Sequence, residues 1–290
     1  MAELLQFLFS GLTVGAVYGL VALGFTLIFN ASGVINFAQG EFVMLGGMVT
    51  VFGVTAGLPI PLAGLLAVAV AVVAGLLLDR LAIRPARGAG PIELIIITIG
   101  AALVIRGLVQ IWFDKEFHTL PGFSGNEPLQ IGGASVLPQT LWILGGTAVI
   151  LAALWWFMSR TLAGKALRAT AANRLAADLV GIDTRLITTM AFGVSAAIGA
   201  LAGLLVTPVT LTNYDAGTML ALKAFVAAVL GGMGNPAGAV LGGLLLGLIE
   251  SLSAGYISSS YKDAAAIIVL LVVLFVRPNG LLGSNRVERV

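Results

Sequence analysis

The sequence predicts an all-α, polytopic membrane protein with about eight to ten transmembrane helices. Three observations carry that expectation. Apolar residues make up 59% of the 290 positions and charged residues 10%, against about 25% charged in soluble domains. Apolar blocks of about 20 residues, the length that spans a hydrocarbon core, follow one another along the whole chain. No segment shows the alternating pattern of a β-barrel strand. The chain has no cysteine, so disulfides, thiol catalysis and iron–sulfur clusters are excluded. Its formal net charge of +2 is spread over loops, which reads as topology rather than as a nucleic-acid surface.

The elements follow in order. The amino terminus, MAELLQFLFSG, has Glu3 and no basic n-region, so the first apolar run, 4–29, is expected to stay as a span rather than be cleaved. It breaks at 30–33. Residues 34–55 form the second block, and 60–78 the third after Pro59 and Pro61. Residues 79–90 carry Arg80, Arg84 and Arg87 and are placed in the cytoplasm by the excess of Lys and Arg there. The fourth span is 92–113. The 114–138 loop is Gly/Pro-rich and lacks the basic bias, so it faces outward. The fifth span, 140–158, has Trp142 at one end and Trp155 and Trp156 near the other, as an aromatic belt requires.

The 160–185 stretch is the longest basic polar run between apolar blocks, with Arg160, Lys165, Arg168, Arg174 and Arg185 against Asp178 and Asp183. It is therefore cytoplasmic. Leu167, Ala171, Leu175 and Leu179 recur at steps of four, which predicts a short amphipathic helix with those residues on one face. Gly181 stands where that helix would stop. The plain reading is a topology-fixing loop; the sharper one is a handle for a soluble protein. Beyond it, 187–211 crosses outward and 213–217 is a short outer turn. Residues 218–232 are barely long enough to cross and are read as a broken or re-entrant candidate. Residues 236–253 and 264–276 complete the set. The tail carries Arg277, Arg286 and Arg289 and is placed inside. If all nine segments cross, the amino terminus is outside.

Two patterns concern the body. Gly11, Gly15 and Gly19, and the pairs Gly199/Gly203, Gly238/Gly242 and Gly243/Gly247, are spaced by four, which lets helix backbones approach closely in lipid. A weak internal repeat relates Phe42-Val43…Leu45-Gly46-Gly47-Met48 to Phe225-Val226…Leu230-Gly231-Gly232-Met233. Each is followed by Pro, an Ala-Gly pair and later an Arg-Pro, at Arg84-Pro85 and Arg277-Pro278. Duplicated halves are common in transporters.

Catalysis by this chain is not expected. The nearest approach to a Walker A loop, Gly164-Lys165-Ala166, lacks the hydroxyl and the preceding strand. The one histidine, His118, lies in the outer loop and no spacing suits a metal. Ionisable residues inside spans are functional candidates by default. Asn36, Gln39, Glu41 and Arg106 are assigned to a translocation path, with Glu41 and Arg106 as a candidate ion pair. Lys223 and Glu250 lie nearer segment ends and are assigned to internal pairing or snorkelling.

The opening GLTVGAVYGLVALGFTLIFNASGVINFAQGEFVMLGG, the stretch GKALRATAANRLAADLVGID and the later KAFVAAVLGGMGNPAGAVLGGLLLGLIESL resemble LivH-type permeases of branched-chain amino-acid ABC importers. The resemblance covers most of the chain. The basic loop also partly matches the ABC-permease coupling motif. Ala176, Ala177 and Gly181 fit, while Leu175 stands where Glu is usual and the downstream Leu-Pro is absent. The resemblance implies one permease domain over 1–290, in a bacterial inner membrane. It also implies an ATPase-coupling loop carrying Lys165, Arg168, Arg174, Ala176, Ala177 and Gly181. The implied partners are a second, LivM-like permease, two cytoplasmic ABC ATPases that use ATP and magnesium, and a periplasmic binding protein. This chain itself would carry no cofactor. Leucine, isoleucine or valine is the usual solute; urea, amides and aromatic acids are carried by relatives. The rival readings are a self-contained secondary transporter or channel using Glu41, and a structural subunit whose partner lines the path.

Overall fold

The computed structural model describes residues 2–86 and 88–283; Arg87 and the tail residues Arg286 and Arg289 lie outside them. Among the described residues, seven helices are long and apolar enough to cross a membrane. They are α1 (Ala2–Ser32), α3 (Ile60–Leu77, continued by the turn Leu78–Ile83), α4 (Pro91–Trp112), α5 (Pro138–Arg160), α8 (Thr184–Val206), α10 (Pro236–Tyr256) and α11 (Lys262–Val276, entered through the turn Ser259–Tyr261). Two further apolar helices are shorter, α2 (Gln39–Thr55) and α9 (Ala216–Gly231). Between α5 and α8 lie α6 (Leu162–Ala172) and α7 (Arg174–Leu179). The outer loop carries a small hairpin, β1 (Leu129–Ile131) against β2 (Ala134–Val136), antiparallel with Gln130 opposite Ser135.

Hydrogen bonds sort the ends of the bundle. Gln6 at the start of α1 bonds the Ser135 backbone, so the amino terminus lies with the 114–138 loop at the outer end. The other end of α1 meets the start of α8, which follows the basic loop, where the Thr188 hydroxyl lies 3.3 Å from the Ala31 carbonyl. Residues 277–283 are at that same inner end, with Leu281 and Leu282 donating to the Leu230 and Gly231 carbonyls and Asn30 at the end of α1 donating to the Gly234 carbonyl at 2.8 Å. Helix α9 therefore runs from the outer connection at 207–215 to the inner end. It is one continuous helix of 16 residues, so the broken alternative falls away.

Two expected boundaries move. The second span is helical only from Gln39; residues 34–38 climb from the inner end without helical hydrogen bonding, and the Asn36 side chain accepts from Ala38 N at 3.1 Å. The 79–90 loop begins later than expected. The chain widens into a π-helical turn over Leu78–Ile83 that buries Asp79, and Arg84 reaches Thr189 at 2.6 Å.

The repeat is visible as an inverted one. Helix α1 packs on α10 as α8 packs on α3, and the short helices α2 and α9 lie between. Because α1 runs inward and α8 outward, the two halves have opposite topology, as in many transporters. The Pro–Ala–Gly correspondence holds at the starts of α3 and α10. The Arg-Pro correspondence does not: Arg84-Pro85 follows the third helix of its half, and Arg277-Pro278 the fourth.

The glycine ladder explains the tight α1–α10 seam. A Cβ on Gly15 would lie 2.8 Å from the Leu244 Cα, and one on Gly243 would overlap the Gly19 backbone. Gly243→Ala is expected to destabilise by about 2 kcal/mol, the range of overpacking. Thermal unfolding in detergent checks this, and an unchanged midpoint would show that the seam can open without loss.

Candidate functional site

The path candidates meet where the two short helices begin. Gly40 at the start of α2 faces Gly217 at the start of α9 so closely that a Cβ on either would overlap the other's backbone. Both helices thus point their N-termini, with their partial positive charge, at one region near the repeat interface. Carboxylates answer that charge, with Glu41 in the first turn of α2 and Asp215 directly before α9.

Arg106 of α4 joins them. Its Nη2 lies 2.8 Å from Glu41 Oε1 and its Nη1 2.9 Å from Asp215 Oδ1. Nη2 also donates to the Thr218 hydroxyl. Glu41 is buried and Arg106 largely so, while Asp215 is half exposed. The guanidinium is well suited to this bridge, because its planar fork addresses two carboxylates at once. The Glu41–Arg106 pair expected from the sequence is present. Asp215 and Thr218, on the far repeat half, complete it; the available signal was a carboxylate immediately before a helix start.

Asn36 and Gln39 are fully buried, and Gln39 Nε2 donates to the Ser195 carbonyl at 3.3 Å. Ser195 Oγ lies 2.7 Å from Gln39 Oε1 and 2.9 Å from the Gly24 carbonyl. This ties α1, α2 and α8 together. Lys223 and Glu250 do pair internally, Nζ to Oε1 at 3.0 Å, with Asp263 Oδ1 at 2.7 Å from the same Nζ. Tyr18 donates to Glu250 Oε2 at 2.9 Å. His118 bonds Asp114 at 2.8 Å and Thr212 through the backbone, closing the outer loop onto the 207–215 connection.

The basic loop is built differently from the single helix expected. Asn173 adopts an extended conformation and its side chain accepts from Ala176 N at 3.0 Å. That cap ends α6 and starts α7 in a new direction. Leu167 therefore turns inward and is buried beside Ala31 and Ile187, while Leu175, Leu179 and Val180 protrude, each more than 70% exposed. The four expected residues do not share a face. Lys165 and Arg168 are exposed, Arg174 is half-buried, Ala176 is exposed and Ala177 is buried. Gly181 ends α7 with φ +86°, a conformation glycine adopts without strain.

Residues 7–276 match the family described as branched-chain amino acid transport system / permease component. The high-affinity branched-chain amino acid transport system permease protein LivH of Escherichia coli K12 is 34% identical over 305 residues, covering 99% of this chain and 97% of LivH. BraD of Pseudomonas aeruginosa, of the same description, is 35% identical over 300 residues, covering 99% and 98%. The ribose import permease protein RbsC of E. coli is 28% identical over 284 residues, covering 92% and 84%. Among solved structures, PsaBC from Streptococcus pneumoniae in complex with Fab superposes with a TM-score of 0.54 at 15% identity, covering 94% of this chain and 93% of that one. At that identity the likeness is one of fold.

Proposed function

The chain belongs to the family of permease components of branched-chain amino acid transport systems, and from that premise we propose that it forms the membrane path of an ATP-driven importer for small neutral amino acids. The observation that carries the reading is the match along nearly the whole chain to relatives described as branched-chain amino acid permeases. The chain is a multi-pass protein of the bacterial inner membrane. It works with a second permease, two cytoplasmic ATPases and a periplasmic binding protein. ATP and magnesium are handled by the ATPases.

The exposed apolar tip of α7 supports the coupling role. Three large apolar residues standing out of a basic, cytoplasmic loop favour burial against a protein partner. Lys165 and Arg168, exposed on α6, suit an acidic surface on the ATPase. ATP closes the ATPase dimer, and the push on α6–α7 reaches α1 and α8, on which α6 is packed. Bias toward one facing state comes from the ATPases, since a conformational change needs a difference in interaction between the two states.

The test is solute uptake into vesicles by this chain with its partner subunits. Leucine uptake is expected to require internal ATP. Uptake by this chain alone, driven by an ion gradient, would overturn the reading.

A further inference from the structure

Between the outer halves of α1, α9 and α10 lies a cavity of about 590 Å3, within the range of small-molecule sites. The 209–213 connection and Phe117 of the outer loop line it as well. Val14, Val17, Ile143 and Leu220 give it apolar walls, and Tyr18, Lys223 and Glu250 also line it. Along α1 the lining runs from Phe7 to Tyr18, about 16 Å at 1.5 Å per residue. The charged floor therefore sits about halfway along α1, within reach of Asp263 in the first turn of α11, at the seam between the two repeat halves. Transporters of inverted-repeat design place solute sites at that depth and seam.

The floor is a matched pair of opposite charges. Lys223 Nζ lies 3.0 and 3.1 Å from the two Glu250 oxygens, and both side chains are mostly buried. Asp263 holds Lys223 from the outside and Tyr18 holds Glu250. Neither charge would be stranded if the direct contact between them opened. A ligand carrying both an ammonium and a carboxylate can replace that contact with two of its own. A sugar offers hydroxyls only and cannot compensate a separated buried pair.

We infer that this cavity is a substrate site within the subunit, in which Glu250 takes the α-ammonium and Lys223 the α-carboxylate of an aliphatic amino acid whose side chain lies against the apolar walls. The inference rests on the importer reading for its solute class. It assigns function to two residues otherwise accounted for as an internal ion pair.

The test uses the full assembly in nanodiscs, with labelled leucine as the probe and without ATP or binding protein. Leucine is expected to bind, and 3-methylbutylamine and 4-methylpentanoate, which each lack one charged group, to compete at least ten-fold less well. Glu250→Gln is expected to lower leucine binding at least ten-fold, and Tyr18→Phe, which keeps the ring and loses the donor, to lower it less. Thermal unfolding of each variant identifies any that fails to fold, and Ala254→Trp, which fills the cavity from α10, is a second route to the same loss. Leucine binding unchanged in Glu250→Gln and Ala254→Trp would overturn the site. So would an assembly that imports leucine with ATP yet binds none in this assay, and that result leaves the importer reading standing. Binding that depends on Glu250, in an assembly that does not import leucine with ATP, would keep the site and overturn the importer reading.

Discussion

Replacing Leu175 and Leu179 together by aspartate is expected to abolish ATP-driven uptake while leaving the membrane body folded. Both side chains protrude from α7, 71% and 79% exposed, and neither contributes to the core. Burying a leucine fully is worth about 1.5–3 kcal/mol. Only part of that survives the ordering and desolvation that accompany association. Even the lower figure for two leucines, about 3 kcal/mol, corresponds to a roughly 100-fold loss of affinity for the ATPases. Two new carboxylates also offset part of the loop's positive charge. The readouts are co-purification of the ATPases, uptake, and the thermal midpoint of the permease. Loss of the first two at an unchanged midpoint is the expected result. Uptake that persists would mean that α7 is not the point of contact, and attention would move to the exposed Leu162 of α6.

The same loop shows where the sequence was readable and where it was not. The stop at Gly181 was legible, because glycine's left-handed freedom acts locally. The face the leucines present was not. It depends on Asn173 capping a second helix rather than continuing the first, and an asparagine in such a run is compatible with either. The body divides in the same way. Apolar length predicted the spanning helices, and the spacing of Gly11, Gly15 and Gly19 predicted close packing, with α10 seen as the partner only in the fold. The inverted symmetry could not be read from the motifs alone, since direction is set by the number of crossings between the halves. At the candidate site, Glu41 and Arg106 were legible as costly ions inside spans. Asp215 was not, because it sits in a short turn where a carboxylate is ordinary. Its role appears only when α9 is brought to α2.

That convergence makes Arg106→Ala the second large effect. Removing the guanidinium leaves Glu41 buried with no counter-ion, and breaking one side of such a pair costs about 3–5 kcal/mol. Asp215, half exposed, adds little, as solvated pairs contribute about 0–1 kcal/mol. The expected result is a much lower thermal midpoint and poor recovery of the assembly. The double variant Glu41→Gln/Arg106→Gln removes both charges and keeps polar groups of similar reach, so most of the stability should return. A double variant as unstable as Arg106→Ala would show that the pair is not the origin of the loss. Uptake by the double variant then separates two roles. If Arg106 only fastens α4 to the starts of α2 and α9, a stable double variant transports normally. If the fastening must open and close as the bundle changes facing, with a charged bridge as its reversible latch, the double variant is stable but slow. The second outcome would place the control of access where α4 and the starts of α2 and α9 meet.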